Sequence, residues 1–296
     1  MILLAGGTGR LGRLLVDRLV KRELPVRILT REPARGADLA GELVTVICGD
    51  VRDRRSLDPA TAGADVVVSA VHGFADPEGD SLAAVDRDGN ANLVEAAKAV
   101  SAEFVLMSTV GAAADSPMEL FRMKHAAEQH ATTSGVPTTI VRATAFLELW
   151  TDLLGQTASR SGRPLVFGRG ENPINFVSVA AVAALVERAV IDPSTRGQIL
   201  EIGGPENLTF NQLARALQTA TGPPGAPRHV PRPMLQLMAT TIGRVKPELG
   251  RQARAALVMD RADLGFDATS IHDVYPDLPR TSLTDMLAGQ PPGLST

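Results

Sequence analysis

The first fifteen residues, MILLAGGTGRLGRLL, limit the fold more than any other stretch. An apolar run ends at Ala5. Glycines follow at Gly6, Gly9 and Gly12, and then an apolar stripe at helical spacing, Leu11, Leu14, Leu15 and Leu19. The pattern predicts a strand, a tight turn and a helix. A turn this sharp uses φ values that glycine reaches cheaply. The helix aims its first-turn N–H groups and the positive end of its dipole at the turn, which suits an anion. A Cβ at Gly9 would obstruct a diphosphate approaching the backbone, and Gly12 lets the helix pack closely. Gly6, Thr8, Gly9, Arg10, Leu11 and Gly12 are therefore expected to hold a dinucleotide. Between a strand and a helix, the glycine triplet is a strong signal.

At 296 residues the chain can form one large α/β domain or one domain plus a smaller lobe. Continuous apolar runs stand at 1–6, 25–30, 43–48, 64–71, 103–108 and 138–143, with helical stretches between them. Such runs read as strands covered on both faces, so the alternation predicts a doubly wound parallel sheet. Residues 1–150 are read as a Rossmann-type dinucleotide-binding domain. Residues 151–296 are read as a smaller, mostly helical substrate lobe, with residues around 174–203 returning to the sheet. Ser116-Pro117-Met118-Glu119 reads as a helix start with a serine cap. Thr209-Phe210-Asn211-Gln212 reads as a capping box. The Pro- and Gly-rich stretch 221–233 reads as a boundary, followed by helices near 233–242 and 247–260.

The net charge of -3 gives no pull toward nucleic acid or an anionic membrane, and the apolar runs are too short to cross a bilayer. The cytoplasm is the expected compartment. The one cysteine, Cys48, is expected in the core because it ends the run LVTVIC. No two of the five histidines stand at i,i+4, so no metal site is expected.

The spacing G-x-x-G-x-x-G differs from the G-x-G-x-x-G of standard dehydrogenases. GGTGRLG at 6–12 resembles the short-chain dehydrogenase/reductase superfamily. GDVRD at 49–53, KHAAEQHATTSGVPTTIVRATAF at 124–146 and ILEIGGPENLTFNQLA at 199–214 narrow the resemblance to its atypical, NmrA-like branch, over about residues 1–220. The resemblance implies that Asp50 and Val51 meet the adenine. It further implies that Ala70, Val71 and His72 line the ribose and phosphates, and that Ala143 and Thr144 lie near the nicotinamide. The second predicted strand ends in Thr30-Arg31, where NAD-preferring domains carry an acid. A guanidinium there suits a 2′-phosphate, with Arg35 and Arg10 as further cations, so NADP(H) is expected over NAD(H).

The superfamily's Tyr-x-x-x-Lys pairs a proton donor with a lysine one helical turn on. Here Lys124 is present and Leu120 stands at the tyrosine position; the chain's one tyrosine is Tyr275. The resemblance gives Lys124 a ribose-binding role, against the alternative of a surface pair with Glu128. It puts Ser108 on the substrate side. His125 is expected to be exposed. Two functions follow. One is NADPH-dependent hydride transfer to a small apolar carbonyl, quinone or enone without a catalytic tyrosine. Its small-molecule pocket would be walled by Leu147, Leu149, Trp150, Phe167, Met234, Leu235, Leu237 and Met238. The other is a non-catalytic NAD(P)H sensor that regulates a protein partner.

Overall fold

The computed structural model describes residues 1–74, 81–221 and 226–289. The chain forms two compact units, one of residues 1–143 and 179–202, the other of 144–178 and 203–296.

The first unit is built on a parallel seven-stranded sheet. Its strands are β1 (Ile2–Ala5), β2 (Val26–Thr30), β3 (Val44–Cys48), β4 (Val66–Ser69), β5 (Glu103–Thr109), β6 (Thr138–Ala143) and, far along the chain, β10 (Ile199–Ile202). Their spatial order is β10-β6-β5-β4-β1-β2-β3. The chain steps outward from β1 through β2 to β3, then crosses back to β4 on the other side of β1. Ligands of doubly wound sheets bind at such a reversal, outside the carboxyl ends of the strands. The predicted runs all become strands of this sheet because both faces are covered. On one face α1 (Arg10–Val20) packs on α6 (Val179–Ile191). On the other, α2 (Arg54–Thr61) packs on α3 (Asn90–Ala99), and α3 on α4 (Glu119–Thr133). Phe104 and Leu106 of β5 bury against Leu93, Val94, Ala127 and Ala131 of this second layer. Glu187 of α6, almost fully buried, takes Arg18 of α1 and Arg22 of the turn after it as ion-pair partners.

Four local expectations need correction. Cys48 is exposed: β3 is the sheet edge, and only one of its five residues is buried. Leu14 is exposed too, and the buried stripe of α1 is Leu11, Leu15, Val16 and Leu19. Ser116 does not cap α4, which begins at Glu119. Its hydroxyl accepts from Met118 N at 3.3 Å and its carbonyl from Arg122 Nη1 at 2.6 Å, so the turn closes on itself before the helix starts. His125 is half-buried, with its Nδ1 enclosed.

The second unit contains β7 (Ala145–Phe146), α5 (Leu147–Ser161), β8 (Leu165–Phe167), β9 (Ile174–Val177) and β11 (Asn207–Leu208). It continues with α7 (Phe210–Thr221), β12 (Arg228–Val230), α8 (Arg232–Thr240), α9 (Pro247–Met259), α10 (Thr269–Val274) and α11 (Leu283–Gly289). The capping box at α7 forms reciprocally, Gln212 N donating to Thr209 Oγ1 at 3.1 Å and Thr209 N to Gln212 Oε1 at 2.8 Å. Part of the predicted boundary, 222–225, lies outside the described residues. Two buried polar side chains organise this unit. Asn175 donates to Gly204 O and Asn207 Oδ1 and accepts from Gly204 N. Asp260, its side chain fully buried, accepts from Arg169 N at 2.7 Å and Gly170 N at 3.2 Å, and pairs with Arg232. Among the described residues no helix is long and apolar enough to cross a membrane.

Candidate functional site

Because β1 to β6 are parallel, their carboxyl ends lie along one edge of the sheet. The topology therefore gathers most of the predicted residues. Gly6–Gly12 follow β1, Arg31 follows β2, Asp50 and Val51 follow β3, and Ala70–His72 follow β4. Ser108 and Ala143 end β5 and β6.

The glycines divide into two kinds. Gly6 has φ +89°, and a Cβ there would stand 2.6 Å from Ala70 O, so the glycine turn and the loop after β4 touch at the reversal point. A Cβ on Gly12 would stand 2.3 Å from Gly6 O and 2.5 Å from Gly7 Cα. Gly12 thus brings the helix against the turn itself. At Gly9 the nearest atom to an added Cβ is Gly6 O, at an ordinary 3.4 Å. The protein's own packing does not require glycine at this exposed position. Gly9 caps α1 without a side-chain bond, and no acid stands in the first turn. The bare surface, the dipole end and the exposed Arg10 together suit a diphosphate.

Arg31 and Arg35 are exposed beside this turn. Arg35 reaches Glu32 only loosely, at 3.6 Å, and the charge of Arg31 acts on Asp50. Burial pushes the Asp50 carboxyl up. Hydrogen bonds and charge from Arg52, joined by the charge of Arg31, outweigh burial and hold it below the usual carboxylate range. Arg52 Nε reaches both carboxylate oxygens, at 3.0 and 2.9 Å. Val51 is buried, and its carbonyl accepts from Asn92 Nδ2. His72 is exposed.

Lys124 is not the surface residue of an i,i+4 pair. It is 6% exposed; Nζ donates to Val71 O at 2.9 Å and lies 3.0 Å from Asp86 Oδ1. Glu128, the alternative partner, is taken by Arg142 of β6 at 2.9 and 2.6 Å. Asp86 is the residue the sequence reading missed. It has no exposed surface, sits in a π-helical turn (Ala83–Gly89), and also accepts from Gly73 N at 2.9 Å. One carboxylate thus fixes both the lysine and the loop after β4. Its signal was an acid within an apolar helical stretch, and π turns recur at functional sites. Ser108 shares the sheet face of Phe104 and Leu106 by strand alternation, the face that α4 covers. It is 6% exposed, and its buried Oγ has no hydrogen-bond partner.

The remaining predictions fall elsewhere. Thr144 opens the second unit and donates to Asn175 Oδ1 at 2.9 Å. Of the proposed pocket walls, Leu147 and Leu235 are core, while Leu149, Met234 and Leu237 are exposed. Trp150 and Phe167 line a hollow of about 10 Å³ with Phe210, room for no more than a water. Among the described residues no cluster of His, Cys, Asp and Glu is arranged to hold a metal.

Comparison with known proteins agrees with this fold. Residues 6–193 match the model of a family described as NAD(P)H-binding. The chain is 30% identical to an NAD(P)H azoreductase of Xenophilus azovorans, over 76% of this chain and 75% of that one. It is 26% identical to quinone oxidoreductase 2 of Escherichia coli, over 75% of each. Among solved structures, an NADPH-dependent quinone oxidoreductase from Escherichia coli, complexed with NADPH, superposes with a TM-score of 0.79. That match has 21% identity and covers 97% of this chain and 99% of that one, a likeness of fold. The chain therefore belongs to the NAD(P)H-binding family of Rossmann-fold proteins, of the atypical short-chain dehydrogenase/reductase type.

Proposed function

We propose that the protein is an NADPH-dependent oxidoreductase that passes hydride to a small apolar carbonyl, quinone or enone. The observation that carries the reading is the pairing of Leu120 with Ser108. The position one turn before Lys124 holds a side chain that donates no proton, while a buried hydroxyl on the face covered by α4 has no partner in the protein. An acceptor that takes hydride readily and draws its proton from water tolerates that arrangement. The azoreductase and quinone reductase relatives support the same class of easily reduced acceptor.

When bound, the reduced nicotinamide supplies the hydride. Gly9 and the first turn of α1 receive the diphosphate. Arg31, with Arg35, takes the 2′-phosphate, as a guanidinium does in bidentate fashion. Lys124 carries three N–H donors; one serves Val71 O, the charge of Asp86 holds the ammonium in place, and another N–H serves a ribose hydroxyl. Ser108 Oγ hydrogen-bonds the acceptor oxygen or a water beside it.

The test is turnover. NADPH is mixed with the protein and a panel of quinones, enones and azo dyes, and loss of reduced-nicotinamide absorbance is followed. Turnover that Ser108→Ala slows at saturating acceptor is expected. Tight NADPH binding with no turnover of any acceptor would replace this reading with the sensor.

A further inference from the structure

We infer that Arg13 sets the protein's preference between NADPH and NADH, by fastening the segment that carries Arg31 and Arg35 to the glycine turn. The inference rests on the reading that this segment takes the 2′-phosphate. Arg13 lies one residue past the last glycine of the motif, on α1. Its Nε donates to Thr8 O at 3.2 Å, inside the glycine turn. Its Nη2 donates to Arg35 O at 2.7 Å, and its two terminal nitrogens grip Asp38 at 2.5 and 3.2 Å. Arg35 and Asp38 both belong to the 3-10 turn Pro33–Leu39, which begins two residues after Arg31. A second contact reinforces the first: a Cβ at the buried Gly36 would stand 3.4 Å from Thr8 Cγ2, so the two loops touch there as well.

Only a planar guanidinium donates in these three directions at once; a lysine ammonium cannot span them. The effect is positional. Thr8, Arg35 and Asp38 take four of the five N–H donors of Arg13, so it acts by holding the loop rather than as a phosphate ligand. It holds the backbone bearing Arg31 and Arg35 at a set distance from the diphosphate turn. NADPH needs both places at once, whereas NADH lacks the 2′-phosphate and does not need the second.

Charge alone gives the opposite prediction for one variant, which makes the test sharp. Asp38→Ala removes a negative charge near the proposed phosphate position, and simple electrostatics then tightens NADPH. Loss of the fastening weakens it. Dissociation constants for NADPH and NADH are measured for wild type, Arg13→Ala, Arg13→Lys, Asp38→Ala and Arg31→Ala. The expected result is NADPH binding weakened about tenfold in Arg13→Ala and Asp38→Ala, NADH changed less than about twofold, and no rescue by Arg13→Lys. Equal weakening of both nucleotides, or unchanged or tighter NADPH in Asp38→Ala, overturns the inference. If Arg31→Ala lowers the NADPH preference while Asp38→Ala does not, Arg13 loses its role and the 2′-phosphate reading stands. If neither variant changes the preference, both fall.

Discussion

Two glycine turns, one in each unit, show how similar backbone chemistry is put to different ends. In the second unit Gly168 has φ +80° and Gly170 φ +66°. The amides of Arg169 and Gly170 converge on one buried acceptor, the Asp260 carboxylate. A Cβ on Gly168 would stand 2.3 Å from Asp260 Cγ, so the glycine makes room for the protein's own anion. In the first unit, Gly6 and Gly12 make room for backbone, and Gly9 faces nothing that a methyl group would strike. No acid of the chain stands in the first turn of α1. A concave set of amides filled from within is an internal brace. One left without an internal anion among the described residues, at a strand-order reversal, is where we propose that the diphosphate binds.

The comparison predicts opposite responses to mutation. The largest effect falls on the brace. Asp260→Ala strands the Arg169 and Gly170 amides and the Arg232 guanidinium, and should lower unfolding free energy in urea by about 3–5 kcal/mol. A loss below about 1 kcal/mol would mean that the second turn is not held by its carboxylate. Next comes Gly12→Ala. The added methyl meets backbone at Gly6 and Gly7, and a loss of about 1–3 kcal/mol is expected without any nucleotide present. Arg31→Ala should leave stability within about 0.5 kcal/mol, as a surface change. It should weaken NADPH about tenfold with little effect on NADH, read by calorimetric titration.

The smallest effect is a pH dependence in the second unit. His272 is buried, and burial, followed by the charge of Arg280, lowers its pKa below the ordinary 6.5. The folded state therefore favours the neutral ring. Its contribution is fully present above about 6.5 and is lost as pH falls below that value, because the unfolded chain takes up the proton first. The melting temperature of wild type should fall more steeply than that of His272→Leu between about pH 6.5 and pH 5. Parallel curves would remove His272 from the acid response.

The sheet was legible because its strands are continuous apolar runs, and continuity follows from burial on both faces. The same rule misplaced Cys48, since an apolar run does not say which strand becomes the edge. The glycine turn was legible from spacing, as were the separate tasks of Gly9 and Gly12; the neighbours of each absent Cβ add that Gly12 packs on the turn itself, at Gly6 and Gly7. Lys124 was found, but helical proximity pointed to Glu128, whereas Arg142 on β6 claims that carboxylate and Asp86 claims the lysine. Asp86 and Asp260 left little trace in the sequence because their partners come from distant segments. Arg13 was overlooked for the same reason: the residues it joins belong to another loop.

The central claim is that glycine at position 9 serves a ligand and not the fold. The direct measurement pairs the melting temperature of nucleotide-free Gly9→Ala with its NADPH dissociation constant. The account predicts stability within about 1 kcal/mol of wild type and NADPH affinity reduced at least about tenfold. Wild-type affinity in a stably folded Gly9→Ala would contradict it.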